Sequence, residues 1–371
     1  MSRIALLAES ADPARGGAER AIRATAQALV ALGAEVELHV PRDRAGPELP
    51  GVTVRAFETG PLPRATRARK LAYALAERAR ERPGTLIACG KLLGADLIWS
   101  HAGVHARARD AQSRAGRSAL HGSLAAAVRG LRPVEWTFAG IEREQARACH
   151  EGGARYVALS ERVAQDAREA LGLEPSAVVP NGVDAARFAP PTAAARRAAQ
   201  AALAARVGAP PDAPLALFAA TAPRLKGFDA ALGVLASLPE LQLVVAGSRP
   251  RVGGELGARV HGLGFVDDLP ALYHGARFLL HPSRYDPCSL VVLEALASGL
   301  AVVTTRADGA SAFVTPERGV VAASAEDPEL AAGCARLCDP AEAARAQEAA
   351  AGFRRGWDDV ARELLALVQP A

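Results

Sequence analysis

Asp286 and Glu294 stand on either side of the run "PCSLVVL". Plain core needs no such acids, because a carboxylate in an apolar helix is costly when buried without partners. The flanking segments "RFLLHPS" and "LAVVTT" read as buried strands. Between them Ser289 to Ser298 reads as a helix, with Gly299 as its stop. Asp286 then lies in the loop at a strand's C-terminal end and Glu294 near mid-helix. A carboxylate accepts two hydrogen bonds, so each acid suits paired sugar hydroxyls. At the helix head, Cys288 and the amides of Ser289, Leu290 and Val291 suit an anion such as a diphosphate. The same spacing also fits a solvent-facing Glu294 and an Asp286 that only begins a turn.

Three other places could join this chemistry. In "TAPRLKGFDAAL" (221–232), Arg224 and Lys226 precede a helix start at about Gly227, just after the strand "LALFAA". Two cations beside a helix N-terminus form either a diphosphate cradle or two solvated surface charges. In "ADPARGGAERA" (11–21), Gly16 and Gly17 open a helix after a strand. That is either an anion-binding helix start or a tight turn, and the Gly-x-Gly-x-x-Gly dinucleotide fingerprint is absent. His101, with His105 beside it, follows the strand "ADLIWS" and is either a hydrogen-bonding group or a structural one.

The elements that must position these residues follow a regular grammar. Short apolar runs ("RIALLAE", "EVELHV", "GTLIACG", "RYVALS", "LQLVVAG") alternate with helical patterns, as between residues 17 and 33, where Ile22, Leu29 and Leu32 recur and Gly33 follows. Alternation of this kind predicts doubly wound α/β architecture with parallel sheets. The 371 residues suffice for two domains. The Pro/Gly/Asn-rich stretch "GLEPSAVVPNGVDAARFAPP" reads as the connection between them. We therefore expect an N-terminal domain over 1–173 and a C-terminal domain over 174–355.

Composition narrows the function. The net charge of +4 is only mildly basic, and aromatics make up 4 % of the chain. That is too few for a base-stacking platform, and no nucleic-acid motif is present. Five scattered cysteines argue against a disulfide framework. The opening "MSRIALLAES" is too short in apolar residues for a signal-peptide core, and no run reaches the roughly 18 apolar residues of a membrane helix. The expected location is cytoplasmic, at most peripheral on the inner face of the plasma membrane. Residues 104–132 form a basic stretch with little apolar order, a loop or exposed helix. Its Arg107, Arg109, Arg114 and Arg117, with Arg64, Arg67, Arg69 and Lys70, make either a solvated face or a patch for anionic lipid.

The acid-x7-acid segment with its Gly299 stop resembles that of the retaining glycosyltransferases of family four, which have the two-domain GT-B fold. "VPNGVDAARF" is similar to that family's interdomain connection, "RLKGFDAAL" to its cationic donor loop, and "YVALSERVAQD" to the last strand and helix of its N-terminal domain. "GWDDVARELLALV" resembles its final helix, so 356–371 should pack back on the N-terminal domain. The region from "LIWSHAGVH" to "EWTFAGIERE" loosely resembles lipopolysaccharide-core glucosyltransferases. The resemblance implies two Rossmann-like domains facing a cleft and sugar transfer with retention from a nucleotide-diphosphate-sugar, a UDP-sugar favoured. It implies a glycan or lipid-linked acceptor and neither cofactor nor metal. The chain agrees on the last point, having no Asp-x-Asp to hold a divalent ion. On this resemblance Glu294 holds the donor ribose and Asp286 the sugar hydroxyls. Arg224 and Lys226 neutralise the leaving group, the helix-head amides face the diphosphate, Gly16 and Gly17 line the opposite wall, and His101 lies near the sugar. Two features depart from the family: the first acid is Asp where Glu is commoner, and Thr221 and Ala222 stand where an Arg often does. Other readings are a GT-B nucleotide-sugar epimerase, which would consume donor without acceptor, and a non-enzymatic polyanion-binding protein.

Overall fold

A computed structural model describes residues 2–60, 62–81, 84–115 and 119–368. The chain divides into two compact units, residues 1–182 with 356–371, and residues 183–355. Each is built on a wholly parallel sheet.

In the first unit the chain runs through β1 (Arg3–Ala8), α1 (Gly17–Ala31), β2 (Glu35–Pro41), β3 (Thr53–Phe57), α2 (Arg64–Ala79), β4 (Thr85–Cys89) and β5 (Leu97–Trp99). It continues through α3 (His105–Arg114), α4 (Ala119–Gly130), α5 (Pro133–His150), β6 (Arg155–Ala158), α6 (Glu161–Leu171) and β7 (Ala177–Val178). The strand order is β3-β2-β1-β4-β5-β6-β7. β1 carries Ile4, Leu6 and Leu7 fully buried, as expected of a strand covered on both faces. The unit extends past the expected residue 173 because β7 adds an edge strand to β6. The basic stretch folds as α3 and α4 rather than a loop, and Arg117 lies outside the described residues.

The second unit contains α7 (Ala193–Val207), β8 (Leu215–Ala219), α8 (Phe228–Ser237), β9 (Gln242–Ala246), α9 (Gly254–Ala258), β10 (Val260–Gly264), α10 (Leu269–Gly275) and β11 (Phe278–His281). Then follow α11 (Leu290–Ala297), β12 (Ala301–Thr305), β13 (Gly319–Ala322), α12 (Glu329–Cys338) and α13 (Pro340–Ala351). The strand order is β10-β9-β8-β11-β12-β13. Phe218, Phe278, Leu235, Val303 and Cys334 meet in its core. The chain closes with α14 (Trp357–Val368), which belongs to the first unit and packs on α1.

The edge strands β3, β7, β10 and β13 are absent from the sequence reading. They are short and half-exposed, so they lack the continuous apolar run that marks a central strand.

Candidate functional site

In the second sheet the chain steps one way from β8 through β9 to β10, then returns to β8's other side with β11. The C-terminal ends of β8 and β11 therefore flank the topological switch point, where open α/β sheets bind ligands. Residues 221–227 leave β8 there and residues 282–289 leave β11.

These two loops are locked together. Gly227 has φ +75°, and a Cβ there would come within 2.0 Å of the Pro282 carbonyl oxygen. Only glycine allows that approach. The Arg284 amide donates to the Leu225 carbonyl at 2.9 Å, and its guanidinium grips Asp229 of α8 through two bonds of 2.7 and 3.0 Å. The outcome is an ion pair: Lys226 Nζ lies 2.5 Å from Asp286 Oδ2 and 3.2 Å from the Tyr285 carbonyl oxygen. Arg224 is exposed and, among the described residues, takes no ion pair.

Asp286 Oδ1 accepts from the amide of the buried Cys288 at 3.2 Å. Ser289 is the N-cap of α11, its hydroxyl accepting from the Val292 amide at 3.3 Å. The three helix-head amides are not equivalent. That of Ser289 already donates to Asp308 Oδ1 at 3.2 Å, whereas those of Leu290 and Val291 belong to the helix's first turn, where amides lack intrahelical acceptors.

Glu294 is 5 % exposed, which removes the solvent-facing alternative. The hydroxyl of Tyr273, from α10, donates to its Oε2 at 2.9 Å. Thus Asp286 stands in the loop before α11, and the braced Glu294 lies within the helix.

Asp308 and His281 are absent from the sequence reading. Both are fully buried, and His281 Nε2 lies 3.6 Å from Asp308 Oδ2. An Asp-Gly pair in a loop reads as turn chemistry, but a histidine closing an apolar strand was an available signal. Burial pushes the His281 imidazole down to about 3, and the Lys226 charge pushes the same way. Burial drives the Asp308 carboxyl well above the usual carboxylate range, aided by the Asp286 charge. His281, Asp286 and Asp308 have donor atoms spaced for a cation, and the Lys226 ammonium at Asp286 supplies one.

In the first unit, Gly16 and Gly17 begin α1 after β1, and no side chain caps that helix start. Gly16 has φ 166°, extended backbone open to any residue. His101 follows β5, buried, with its ring edge-on to Trp99 at 4.1 Å. Burial pushes its pKa down to about 3, so the ring is neutral, and its Nε2 has no partner. His105 heads α3, where Glu142 Oε1 accepts from its amide at 2.8 Å and from Lys91 Nζ at 3.3 Å. Gln145 clamps the carbonyls of Gly90 and Leu92 at 2.8 Å each. Glu142 and Gln145 thus fix the loops after β4 and β5.

Of the arginines near the basic stretch, Arg107 pairs with Glu169 at 2.5 Å and Arg114 with Asp110 at 2.8 Å. Beside them Leu124 and Val128 of α4, Leu131 just past its end and Trp136 of α5 are 56–72 % exposed, large apolar side chains open to solvent.

Matches to known proteins span both units. The model described as "Glycosyltransferase Family 4" matches residues 15–187, and "Glycosyl transferases group 1" matches residues 213–339. The D-inositol 3-phosphate glycosyltransferase of Xylanimonas cellulosilytica is 36 % identical over 207 residues, 51 % of this chain and 49 % of that protein. The lipopolysaccharide glucosyltransferase WaaG of Escherichia coli is 36 % identical over 101 residues, 24 % of this chain and 27 % of WaaG. The chain thus spans about half the length, or less, of these two curated relatives. A crystal structure of WaaG covers 100 % of both chains with a TM-score of 0.75 at 17 % identity. The Anabaena protein HepE, solved with UDP and glucose, covers 99 % of each with a TM-score of 0.64 at 19 % identity. These likenesses give the fold: two parallel-sheet α/β domains of the GT-B type. With the matched models on both units, the chain belongs to the group 1 and family four glycosyltransferases.

Proposed function

We propose that this protein is a retaining, metal-independent glycosyltransferase that moves a sugar from a nucleotide-diphosphate-sugar, a UDP-sugar foremost, to a glycan or lipid-linked acceptor in cell-envelope polysaccharide synthesis. The observation that carries the reading is the Lys226–Asp286 pair at the second sheet's switch point, beside the free amides of Leu290 and Val291. On this reading those amides and the helix dipole hold the diphosphate. Lys226 neutralises the charge that develops on the leaving group, the task a divalent ion would otherwise take. Asp286 accepts from donor sugar hydroxyls, and Glu294, braced by Tyr273, accepts from the ribose. Arg224, unpaired and exposed, adds a second cation to the diphosphate. In the first unit, Gly16 and Gly17 line the donor site from the opposite wall. Neutral His101 serves as a hydrogen-bonding group for the sugar, not as an acid.

The first unit suggests where a lipid-linked acceptor is met. The exposed Leu124, Val128, Leu131 and Trp136 are interspersed along the chain with Arg129 and Arg132. Exposed apolar side chains close in sequence to arginine suit an anionic lipid surface. No helix among the described residues is long and apolar enough to cross a membrane. Peripheral attachment on the cytoplasmic face fits a donor of this class.

Thermal-shift screening against UDP-, GDP- and ADP-sugars tests the reading. A bound donor stabilises the fold by mass action, by about 2.7 kcal/mol at a hundred times Kd, and so raises Tm. No shift with any of them would defeat it, and donor turnover without acceptor would replace it with an epimerase.

A further inference from the structure

We propose that Asp308 is a positioning residue, one side chain that fixes both the Asp286 loop and the start of α11 against each other. The proposal rests on the donor-site reading above. It begins from the sheet. β11 and β12 pair in register from Phe278↔Ala301 to His281↔Thr304, and there the regular ladder ends. Beyond it the loops should part, yet an isolated parallel bridge joins Asp286 to Asp308. The Asp286 amide donates to the Ala307 carbonyl at 3.0 Å, and the Gly309 amide donates to the Asp286 carbonyl at 2.8 Å. Both main-chain groups of the donor acid are therefore held by the loop that carries Asp308.

The Asp308 side chain completes the joint. Oδ1 accepts from the amide of Ala310 at 2.9 Å, which shapes its own loop. It also accepts from the amide of Ser289 at 3.2 Å, nineteen residues earlier in the chain. Ser289 is the N-cap of α11, so this bond fixes the direction in which the next two amides point. Oδ2 has no hydrogen-bond partner and faces the His281 ring, neither nitrogen of which is partnered. With His281 neutral and burial favouring the protonated carboxyl, the interior of this joint carries no net charge. An ionised Asp308 would set a second negative charge near Asp286 and compete for Lys226, the other charged groups here.

Substitution at Asp308 can separate geometry from charge. Asn retains an acceptor oxygen for Ser289 and Ala310 and offers a neutral N–H₂ where the carboxyl faces His281. Asp308→Asn should preserve the joint, and Asp308→Ala should break it. Asp308→Ser, a smaller change, keeps the short bond to Ala310 but cannot reach Ser289.

Hydrogen exchange of the ligand-free full chain reads the joint directly. Asp308→Ala should speed exchange in peptides covering 286–291 and 307–311 by roughly tenfold or more, as expected for a lost buried hydrogen bond. β8 and β9 should be unchanged. Asp308→Ser should do so at 286–291 alone, which decides the matter should the Ala variant not fold. Kinetics supplies the second arm. Asp308→Ala should raise the donor KM by roughly tenfold with acceptor KM unchanged, and Asp308→Asn should restore it to within about threefold. Wild-type exchange at 286–291 in both the Ala and Ser variants, or an Asn variant as impaired as Ala, would overturn the proposal. A wild-type protein that binds no sugar nucleotide would instead sink the donor-site reading, and the exchange arm would still decide the role of Asp308.

Discussion

The ammonium of Lys226 stands 2.5 Å from Asp286 Oδ2, although sixty residues of chain separate them. The pair is partly buried, with side chains 18 % and 17 % exposed. On the proposed donor-site reading, a cation held this way would be in place before a diphosphate arrives, and little reorganisation would accompany the reaction. Replacing Lys226 with Met should lower kcat by about 10²–10³, the cost of removing one such preorganised group. Steady-state kinetics at saturating donor checks this, and a loss confined to KM would contradict it.

Tyr273→Phe deletes the phenol that donates to buried Glu294. The carboxylate then lacks one hydrogen bond, which should cost about 1–3 kcal/mol of stability by urea denaturation. Glu294→Ala should fold and yet lose the thermal shift with donor. Undiminished donor affinity in that variant would show that Glu294 does not read the ribose.

Two glycines should behave oppositely. At Gly227, φ of +75° and a Cβ 2.0 Å from the Pro282 carbonyl make Ala intolerable, at a cost of about 3 kcal/mol or more. At Gly16 the backbone is extended and a Cβ meets only the flexible end of Glu19 at 3.2 Å. Gly16→Ala should therefore change stability by no more than about 0.5 kcal/mol. An activity lost in that folded variant reports on ligand approach; unchanged activity removes Gly16 from the site.

Acid should destabilise the protein through His101, whose pKa burial pushes down to about 3. Between that value and the ordinary 6.5 the unfolded chain binds a proton that the folded one does not, so stability falls as pH falls. From pH 7 to pH 5 this amounts to about 2 kcal/mol. Glu9, raised by burial, works in the opposite direction, so the comparison is with His101→Gln. The stability difference between wild type and variant should shrink over that interval. A pH-independent difference would mean that His101 is not buried as described.

Replacing Leu124 and Leu131 with Glu touches two exposed side chains and should leave Tm unchanged. Sedimentation with vesicles rich in anionic phospholipid should drop by roughly tenfold or more, given about 1.5–3 kcal/mol for burying each leucine. Equal sedimentation of the variant would remove this face from membrane contact.

The central strands and the acid-x7-acid helix were legible because each is a contiguous pattern: an apolar run, a glycine stop, an acid at fixed spacing. Lys226 and Asp286 were both singled out, but not their direct pairing. That depends on the Gly227–Pro282 approach, and no local pattern encodes a contact across fifty-five residues. The occupied amide of Ser289 is hidden from the sequence for the same reason, since its partner Asp308 comes from the next loop. The exposure of Leu124, Val128, Leu131 and Trp136 is not legible in the sequence, because an apolar residue type does not say whether anything covers it.

The return of α14 to the first unit has a consequence for synthesis. The Val183 amide donates to the Arg355 carbonyl at 3.0 Å, so the second unit opens and closes at one point. Everything it needs has left the ribosome once Arg355 has. The first unit, begun earlier, still waits for the helix that covers α1. The later-encoded unit is thus the first able to fold completely, and for that interval the α1 surface that α14 will cover is uncovered on the nascent chain.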